Sequence, residues 1–117
     1  MKKILIIEDD ADILELLEII LHGNGFAVIK VNREITVKEI IGLSPHLIII
    51  DLLLPFISGN ELCLELKANK QTLNIPVILC SAHNNLERIA AESKSDAFIS
   101  KPFDVIDFEN LVKKLVL

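Results

Sequence analysis

The chain has 117 residues, of which 51% are hydrophobic, and it carries a formal net charge of −5 at pH 7. A chain of this length and apolarity can build one hydrophobic core, which excludes two complete domains and a disordered polypeptide. We therefore expect a single domain over residues 1–117. Nucleic acids and anionic membranes attract clustered positive charge, so the acidic balance argues against both as direct partners.

Three features of the sequence favour a soluble protein in a reducing compartment. The cysteines, Cys63 and Cys80, are too few for a disulfide framework. Acidic residues from Glu8 onward interrupt the first apolar run before it reaches the length of a secretory signal. No apolar stretch approaches the roughly 18 residues of a membrane span. We therefore expect a soluble, cytoplasmic protein.

Short apolar runs alternate with helical patterns along the chain. The runs have the length of β-strands and are apolar at consecutive positions, as strands buried on both faces are. They lie at 4–7, 27–31, 47–50, 76–80 and 97–99. Each run is followed by a segment whose apolar residues recur at helical spacing. The predicted apolar helix faces contain Ile13, Leu16, Leu17, Ile20 and Leu21; Val37, Ile40 and Ile41; Leu62, Leu64 and Leu66; Leu86, Ile89 and Ala90; and Phe108, Leu111, Val112 and Leu115.

This alternation predicts an α/β protein in which a doubly wound, five-stranded parallel sheet is flanked by five helices. The leading topology is the flavodoxin-like strand order 2-1-3-4-5, with right-handed crossovers. Open sheets of this kind bind ligands beyond the carboxyl ends of their strands. The functional residues are therefore expected at that edge.

Four neighbouring strands of this order lead into polar residues. Strand 1 runs into Glu8 and Asp9, strand 3 into Asp51, strand 4 into Ser81 and strand 5 into Lys101. Carboxylates that share a partly buried site repel one another unless a cation offsets their charge. Oxygen ligands without Cys or clustered His favour a hard ion. The sequence therefore predicts a Mg²⁺ site.

Each of these residues also has a purely structural interpretation. Acids at the start of a helix commonly cap its free amides, and Asp10 and Asp12 fit that role. Ser81 alone fits a turn hydroxyl, and Lys101 alone fits a surface lysine. Asp51 fits less well, because an isolated Asp after a buried central strand costs stability unless it is paired or binds a metal. Together the residues favour phosphoryl transfer to an Asp51 nucleophile.

Four stretches of the sequence resemble the receiver domain of two-component response regulators, in the same order and at similar intervals. They lie at 4–10, 47–55 with Gly59, 77–82 and 96–103, and they read ILIIEDD, LIIIDLLLP, VILCSA and DAFISKPF. The resemblance extends from residue 3 to residue 115. It implies a flavodoxin-like domain that takes part in phosphorelay signalling.

The resemblance implies a metal-dependent phosphoacceptor site. Asp51 matches the phosphoacceptor, which takes a phosphoryl group from a phosphohistidine on a sensor histidine kinase or a phosphotransfer protein. Asp9 and Asp51 would bind Mg²⁺ directly, with the backbone carbonyl of Leu53. Glu8 would complete the metal site through a metal-bound water.

The resemblance also implies a switch. Ser81 and Lys101 match the hydroxyl and the amine that bind the phosphoryl group, and the bond from Lys101 to Pro102 would be cis. Phe98 matches an aromatic residue that turns inward when the hydroxyl moves. The domain would promote its own phosphoryl transfer and dephosphorylation without being a conventional enzyme. Its fourth helix, fifth strand and fifth helix would form the surface for an output partner or a homodimer.

The chain departs from the usual family pattern at three places. Lys94, Ser95 and Asp96 stand where many members carry Gly-Ala-Asp, which predicts a differently shaped turn before strand 5. Leu53 and His83 occupy positions associated with the lifetime of the phosphoryl group. We hypothesise that Leu53 shields the acyl phosphate from water and lengthens its lifetime.

Two other classes of protein lack their required residues in this sequence, and a third class remains open. A flavodoxin needs a Ser/Thr/Gly-rich phosphate loop after strand 1, where this chain is acidic. A haloacid-dehalogenase-like phosphatase needs a second Asp two residues after the nucleophile, where this chain has Leu53. The remaining alternative is a receiver-like interaction module that is not phosphorylated.

Overall fold

The computed structural model describes residues 1–82 and 84–116, so His83 and Leu117 lie outside the described residues. The strands are β1 (Lys3–Ile7), β2 (Ala27–Val31), β3 (Leu47–Asp51), β4 (Val77–Ser81) and β5 (Ala97–Ser100). The helices are α1 (Ala11–Gly23), α2 (Val37–Leu43), α3 (Gly59–Lys67), α4 (Leu86–Glu92) and α5 (Val105–Val116). Within these two ranges, no helix is long and apolar enough to cross a membrane.

The strands form one parallel sheet in the order β2-β1-β3-β4-β5, which confirms the predicted topology. Strands β3 and β4 are buried at every position, because helices cover both faces of the sheet. The register pairs Asp51 with Cys80, and Ser81 with Ser100. The carboxyl ends of β3, β4 and β5 therefore meet at one edge of the sheet, together with that of β1.

Two apolar layers hold the helices against the sheet. Strand residues such as Leu5 and Ile48 pack with α2, α3 and α4, whereas the alternate residues Ile4 and Ile49 pack with α1 and α5. This alternation follows from the twofold side-chain period of a strand. It fixes α1 and α5 side by side on one face of the molecule.

Two of the residues predicted on apolar helix faces are not core residues. The buried face of α1 consists of Leu14, Leu17 and Leu21, and Leu16 is 47% exposed. In α3, Leu64 is 41% exposed. The prediction was wrong for these leucines because spacing alone does not show which face of a helix meets the sheet. In α1, apolar residues lie on two adjacent faces, and only one of them is buried.

The start of β5 is anchored by Asp96. Its backbone N–H donates to the carbonyl of Val77 at 2.9 Å, and its carboxylate accepts from the backbone N–H of Val77 at 2.8 Å and from Lys67 Nζ at 2.7 Å. In the preceding turn Lys94 adopts a φ of 62°, the left-handed conformation that glycine adopts at least cost. These contacts set the register of the strand that leads to Lys101.

Candidate functional site

The structure brings together the three acids at the ends of β1 and β3. The backbone N–H of Glu8 donates to the Val31 carbonyl at 3.0 Å, which extends the ladder between β1 and β2 past the last residue of β1. Asp51 is the last residue of β3. One carboxylate oxygen each from Glu8, Asp9 and Asp51 lies within 4.8 Å of the others. Asp9 is exposed, whereas Glu8 and Asp51 are only 3% and 7% exposed.

Lys101 is the cation that faces this cluster. Its Nζ lies 3.2 Å from Glu8 Oε1 and 3.8 Å from Asp51 Oδ2. Its backbone N–H donates to the Ser81 carbonyl at 2.9 Å, and the peptide bond to Pro102 is cis, as the resemblance implied. Burial lowers the pKa of Lys101, but the carboxylates of Glu8 and Asp51 outweigh this effect and hold the pKa above its ordinary value. The amine therefore stays charged beside the acids.

The pKa of Glu8 lies well above its ordinary value. Burial and the neighbouring charge of Asp51 raise its pKa from 4.5 to about 7, against the opposing effect of Lys101. A single ammonium group therefore does not offset all the negative charge that the cluster can carry. Such a site favours a divalent cation, because the cation stabilises the ionised form of every carboxylate.

The affinity for Mg²⁺ is expected to rise with pH through the titration of Glu8. The folded-state pKa lies above the unfolded value, so the metal-free protein loses stability as the pH rises from 4.5 towards about 7. A Mg²⁺ ion at this cluster would compete with the proton on Glu8 and should restore that stability. Thermal unfolding should show a larger Mg²⁺-induced increase in Tm at pH about 8 than at pH about 5.5. In Glu8→Gln the Mg²⁺-induced increase in Tm should be similar at the two pH values. An equal increase at both pH values in the wild type would contradict the expected pH dependence.

The remaining predicted residues of this edge lie at the ends of β3 and β4. Ser81 is the last residue of β4 and is 1% exposed. The backbone N–H of Leu53 donates to Asp51 Oδ1 at 3.3 Å, and this contact orients the carboxylate. The side chain of Leu53 is 62% exposed, so it stands in solvent beside the acidic cluster.

Gly59 is a positioning residue whose role the sequence did not reveal. Its backbone N–H donates to the Leu52 carbonyl at 2.8 Å. A Cβ at this position would clash with the carbonyl oxygen of Asp51 and would lie 2.8 Å from Leu52 Cα. Because Gly59 has no side chain, α3 can begin directly against the backbone of Asp51 and Leu52. A glycine as the first residue of a helix, directly after Ser58 at the N-cap position, is the signal that could have indicated it.

Phe98 lies apart from the acidic cluster. It pairs with Leu79 in the ladder between β4 and β5, and its side chain is 40% exposed. It lines a groove of about 390 Å³ with residues of α4 and of the turn before β5. The structure therefore places the predicted aromatic switch residue on the α4–β5 face, with its ring turned outward.

The cysteines do not contribute chemistry to this edge. Cys80 lies next to Ser81 and is buried, and burial raises the pKa of its thiol to about 12. Burial likewise raises the pKa of Cys63 to about 11. Both thiols stay protonated at neutral pH and pack as small apolar side chains.

Comparison with known proteins agrees with the fold. The family described as the response regulator receiver domain matches residues 4–115. The DNA-binding dual master transcriptional regulator RpaA of Synechocystis is 34% identical over 119 residues, which cover 99% of this chain and 49% of RpaA. The chain belongs to the response regulator receiver domain family.

Solved structures show the same similarity. The signal receiver domain of a signal transduction histidine kinase from Syntrophus aciditrophicus has a TM-score of 0.89 and 32% identity, over 99% of this chain and 90% of that one. The response regulator TrrA of Thermotoga maritima, in complex with Mg²⁺ and BeF, has a TM-score of 0.88 and 28% identity, over 98% of this chain and 99% of TrrA. In contrast, this chain spans about half the length of the first curated relatives it matches.

Proposed function

We propose that this receiver domain accepts a phosphoryl group on Asp51 from a phosphohistidine of a sensor histidine kinase or phosphotransfer protein, in a Mg²⁺-dependent reaction. The observation that carries the proposal is the placement of a buried Asp51 among two further acids and one lysine amine. A merely structural Asp at this position needs one partner. The acids around Asp51 can carry more negative charge than the single amine of Lys101 offsets.

The residues fit a magnesium ion. The oxygens of Glu8, Asp9 and Asp51 are hard ligands, and they are close enough together to share one ion. Asp9 and Asp51 would bind it directly, with the carbonyl of Leu53, and Glu8 would bind it through water. A bound divalent ion supplies charge neutralisation and orientation of the phosphoryl group.

The side chains of the chain itself can carry the transfer. An oxygen of the Asp51 carboxylate attacks phosphorus, and the bond from phosphorus to the donor's imidazole nitrogen breaks. That nitrogen keeps the electron pair and takes up a proton, and Asp51 becomes an acyl phosphate. Lys101 and Ser81 would bind the phosphoryl oxygens, which stabilises the charge that spreads over them during transfer. Hydrolysis of the acyl phosphate returns the carboxylate.

The new charge would change the surface through Ser81 and Phe98. Contact between the hydroxyl of Ser81 and the phosphoryl group would let the ring of Phe98 turn inward from the α4–β5 face. That face, with α5, is the proposed surface for an output partner or a homodimer. We assign residues 1–117 to one receiver domain that acts in the cytoplasm without direct contact to nucleic acid or membrane.

Incubation with acetyl phosphate and Mg²⁺ tests the proposal. Intact-mass spectrometry should show the addition of one phosphoryl group, and EDTA or Asp51→Asn should abolish it. A matched control is Asp96→Asn, since Asp96 is anchored at the opposite edge of the sheet. An unmodified mass under all conditions would instead favour the receiver-like interaction module that is not phosphorylated.

Leu53 is expected to slow hydrolysis of the acyl phosphate. Its backbone N–H contacts Asp51, and its side chain is apolar and exposed, so it cannot hydrogen-bond an attacking water as a polar side chain would. Leu53→Asn should shorten the half-life of the phosphorylated protein about threefold to tenfold, equivalent to about 1 kcal/mol of barrier. Loss of the phosphoryl group can be followed by mass after removal of acetyl phosphate. An unchanged or longer half-life would contradict the expectation.

A further inference from the structure

The carboxyl end of α1 carries the dipeptide Asn24-Gly25, which is the one place in the chain where a glycine follows an asparagine. Glycine is favoured at position 25 because its φ is 84°, the left-handed conformation in which helices commonly end. The lack of a Cβ also leaves the backbone nitrogen of Gly25 unshielded. An asparagine side chain reacts most readily with the backbone that follows it when the next residue is glycine.

That reaction is deamidation through a cyclic imide. The Gly25 nitrogen gives up its proton to hydroxide and attacks Cγ of Asn24. The bond from Cγ to Nδ2 breaks, and Nδ2 takes up a proton and leaves as ammonia. Water then opens the ring at one of its two carbonyl carbons. The product is aspartate, or isoaspartate, in which the main chain runs through the side-chain carbon. Either product carries a carboxylate in place of the amide.

The folded chain keeps the two reacting groups apart. Asn24 has a ψ of 11°, which turns the Gly25 nitrogen away from the side chain of Asn24. The N–H of Gly25 donates to the His22 carbonyl at 3.1 Å, so this proton is not free to leave. Nδ2 of Asn24 donates to the Ile20 carbonyl at 2.8 Å and to Glu109 Oε2. Both the nucleophile and the leaving group are therefore held by hydrogen bonds.

Glu109 differs from the other partners because it lies on α5. The carbonyls of Ile20 and His22 belong to the last turn of α1, so their hydrogen bonds are lost together when that turn opens. The hydrogen bond from Asn24 to Glu109 joins residues 85 positions apart, and the carboxylate acceptor makes it a strong one. It ties the end of α1 to a second helix and opposes the opening of the turn.

We infer that Asn24 is a deamidation site that the hydrogen bond to Glu109 protects, and that its conversion weakens the packing of α1 against α5. The new carboxylate faces the carboxylate of Glu109 where an N–H donor had been, and like charges repel. It also lies at the carboxyl end of α1, where the helix dipole disfavours negative charge. The carbonyl of Ile20 loses its side-chain donor in the same step.

The rate of deamidation in the full chain tests the protection. The folded protein and the protein in concentrated urea are kept at mildly alkaline pH, and peptide mapping by mass spectrometry follows the exchange of NH₂ for OH at Asn24. Conversion should be at least about tenfold slower in the folded protein, because the reaction requires local opening. Equal rates in the folded and unfolded protein would overturn the inference.

Two variants show whether Glu109 provides the protection. Glu109→Ala should raise the rate in the folded protein about threefold to tenfold, because a charge-assisted hydrogen bond no longer opposes opening. Glu39→Ala is the matched control. It removes an acid that accepts from Arg33 Nη2 at 2.9 Å and caps α2, far from Asn24 in the chain, so it should leave the rate unchanged. Equal effects of the two variants would mean that deamidation follows global unfolding, and would overturn the role of Glu109.

Asn24→Asp tests the consequence, because it reproduces the aspartate product without the reaction. Its Tm should fall by about 3 to 6 °C. Glu109→Gln in the same chain should restore part of the loss, because a neutral amide removes the repulsion and can donate to the new carboxylate. Thermal unfolding measures both values. An Asn24→Asp protein as stable as the wild type, or one that Glu109→Gln does not stabilise, would overturn the inference.

Discussion

Lys101→Met is expected to lower the free energy of unfolding of the metal-free protein by about 2 to 3 kcal/mol at pH about 8. The variant keeps the length of the side chain but removes the charge that lies 3.2 Å from Glu8 and 3.8 Å from Asp51. Two acids that are almost fully buried then face each other without compensation. Urea denaturation measures the loss, and the rate of phosphorylation by acetyl phosphate should fall with it.

Three further measurements show whether charge is the cause. Saturating Mg²⁺ should restore part of the lost stability, and so should Glu8→Gln in the same chain. At pH about 5.5 the loss should shrink, because Glu8, with a pKa of about 7, is then mostly protonated. A loss that is independent of pH, Mg²⁺ and Glu8 would mean that Lys101 acts through packing alone.

An exposed ion pair provides the matched control. Lys30 lies 2.8 Å from Glu18, which is closer than Lys101 lies to either of its partners, but its side chain is 43% exposed. Lys30→Met should therefore cost much less than Lys101→Met, because water screens and solvates exposed charges. Similar losses in the free energy of unfolding for Lys30→Met and Lys101→Met would show that burial does not strengthen the ion pairs of Lys101.

Gly59→Ala is expected to destabilise the protein by about 2 to 3 kcal/mol, because the new methyl group overlaps the backbone of Asp51 and Leu52. Backbone atoms cannot move aside as a flexible side chain can. Relief of the clash must therefore shift either the start of α3 or the end of β3. We expect slower phosphorylation of Asp51 as well, since a shift of the end of β3 displaces Asp51 from the other acids.

Gly42→Ala is the matched control, because Gly42 lies in α2 and a Cβ there meets nothing within 4 Å. That change should raise stability by up to about 1 kcal/mol, since alanine favours a helix more than glycine does. The two substitutions add the same methyl group and should have opposite effects on stability. A Gly59→Ala variant as stable as Gly42→Ala would show that the contact with Asp51 relaxes without cost.

Much of the fold and the position of the acidic cluster followed from the sequence. Consecutive apolar residues set the strands to within one residue of those observed. The expectation of burial on both faces was wrong for the edge strands β2 and β5, which are only partly buried because each has a neighbouring strand on one side only. Once the strand order was inferred, the ends of the strands predicted that Glu8, Asp9 and Asp51 would lie together. They do so because parallel strands all end at the same edge.

The faces of the helices were less predictable. In α1, apolar residues fill a wider arc than the sheet can cover, so Leu17 is buried while Leu16 is half exposed. The choice between them depends on how α1 is rotated against the sheet and α5, which is decided by tertiary packing. The exposure of Leu16 could therefore not be inferred from spacing, although the residue was visible in the sequence.

By itself, the sequence determined the α/β class and the edge of the sheet at which the acids converge. It also determined which residues resemble a phosphoacceptor site. These conclusions need only strand periodicity and chain order, which are local properties. Only the tertiary structure decided the pairing of Lys101 with Glu8, the elevated pKa of that acid and the steric requirement at Gly59. These depend on distances between segments far apart in the chain. The acidic composition also took on a local meaning, since the negative charge of Glu8 and Asp9 lies beside the buried Asp51.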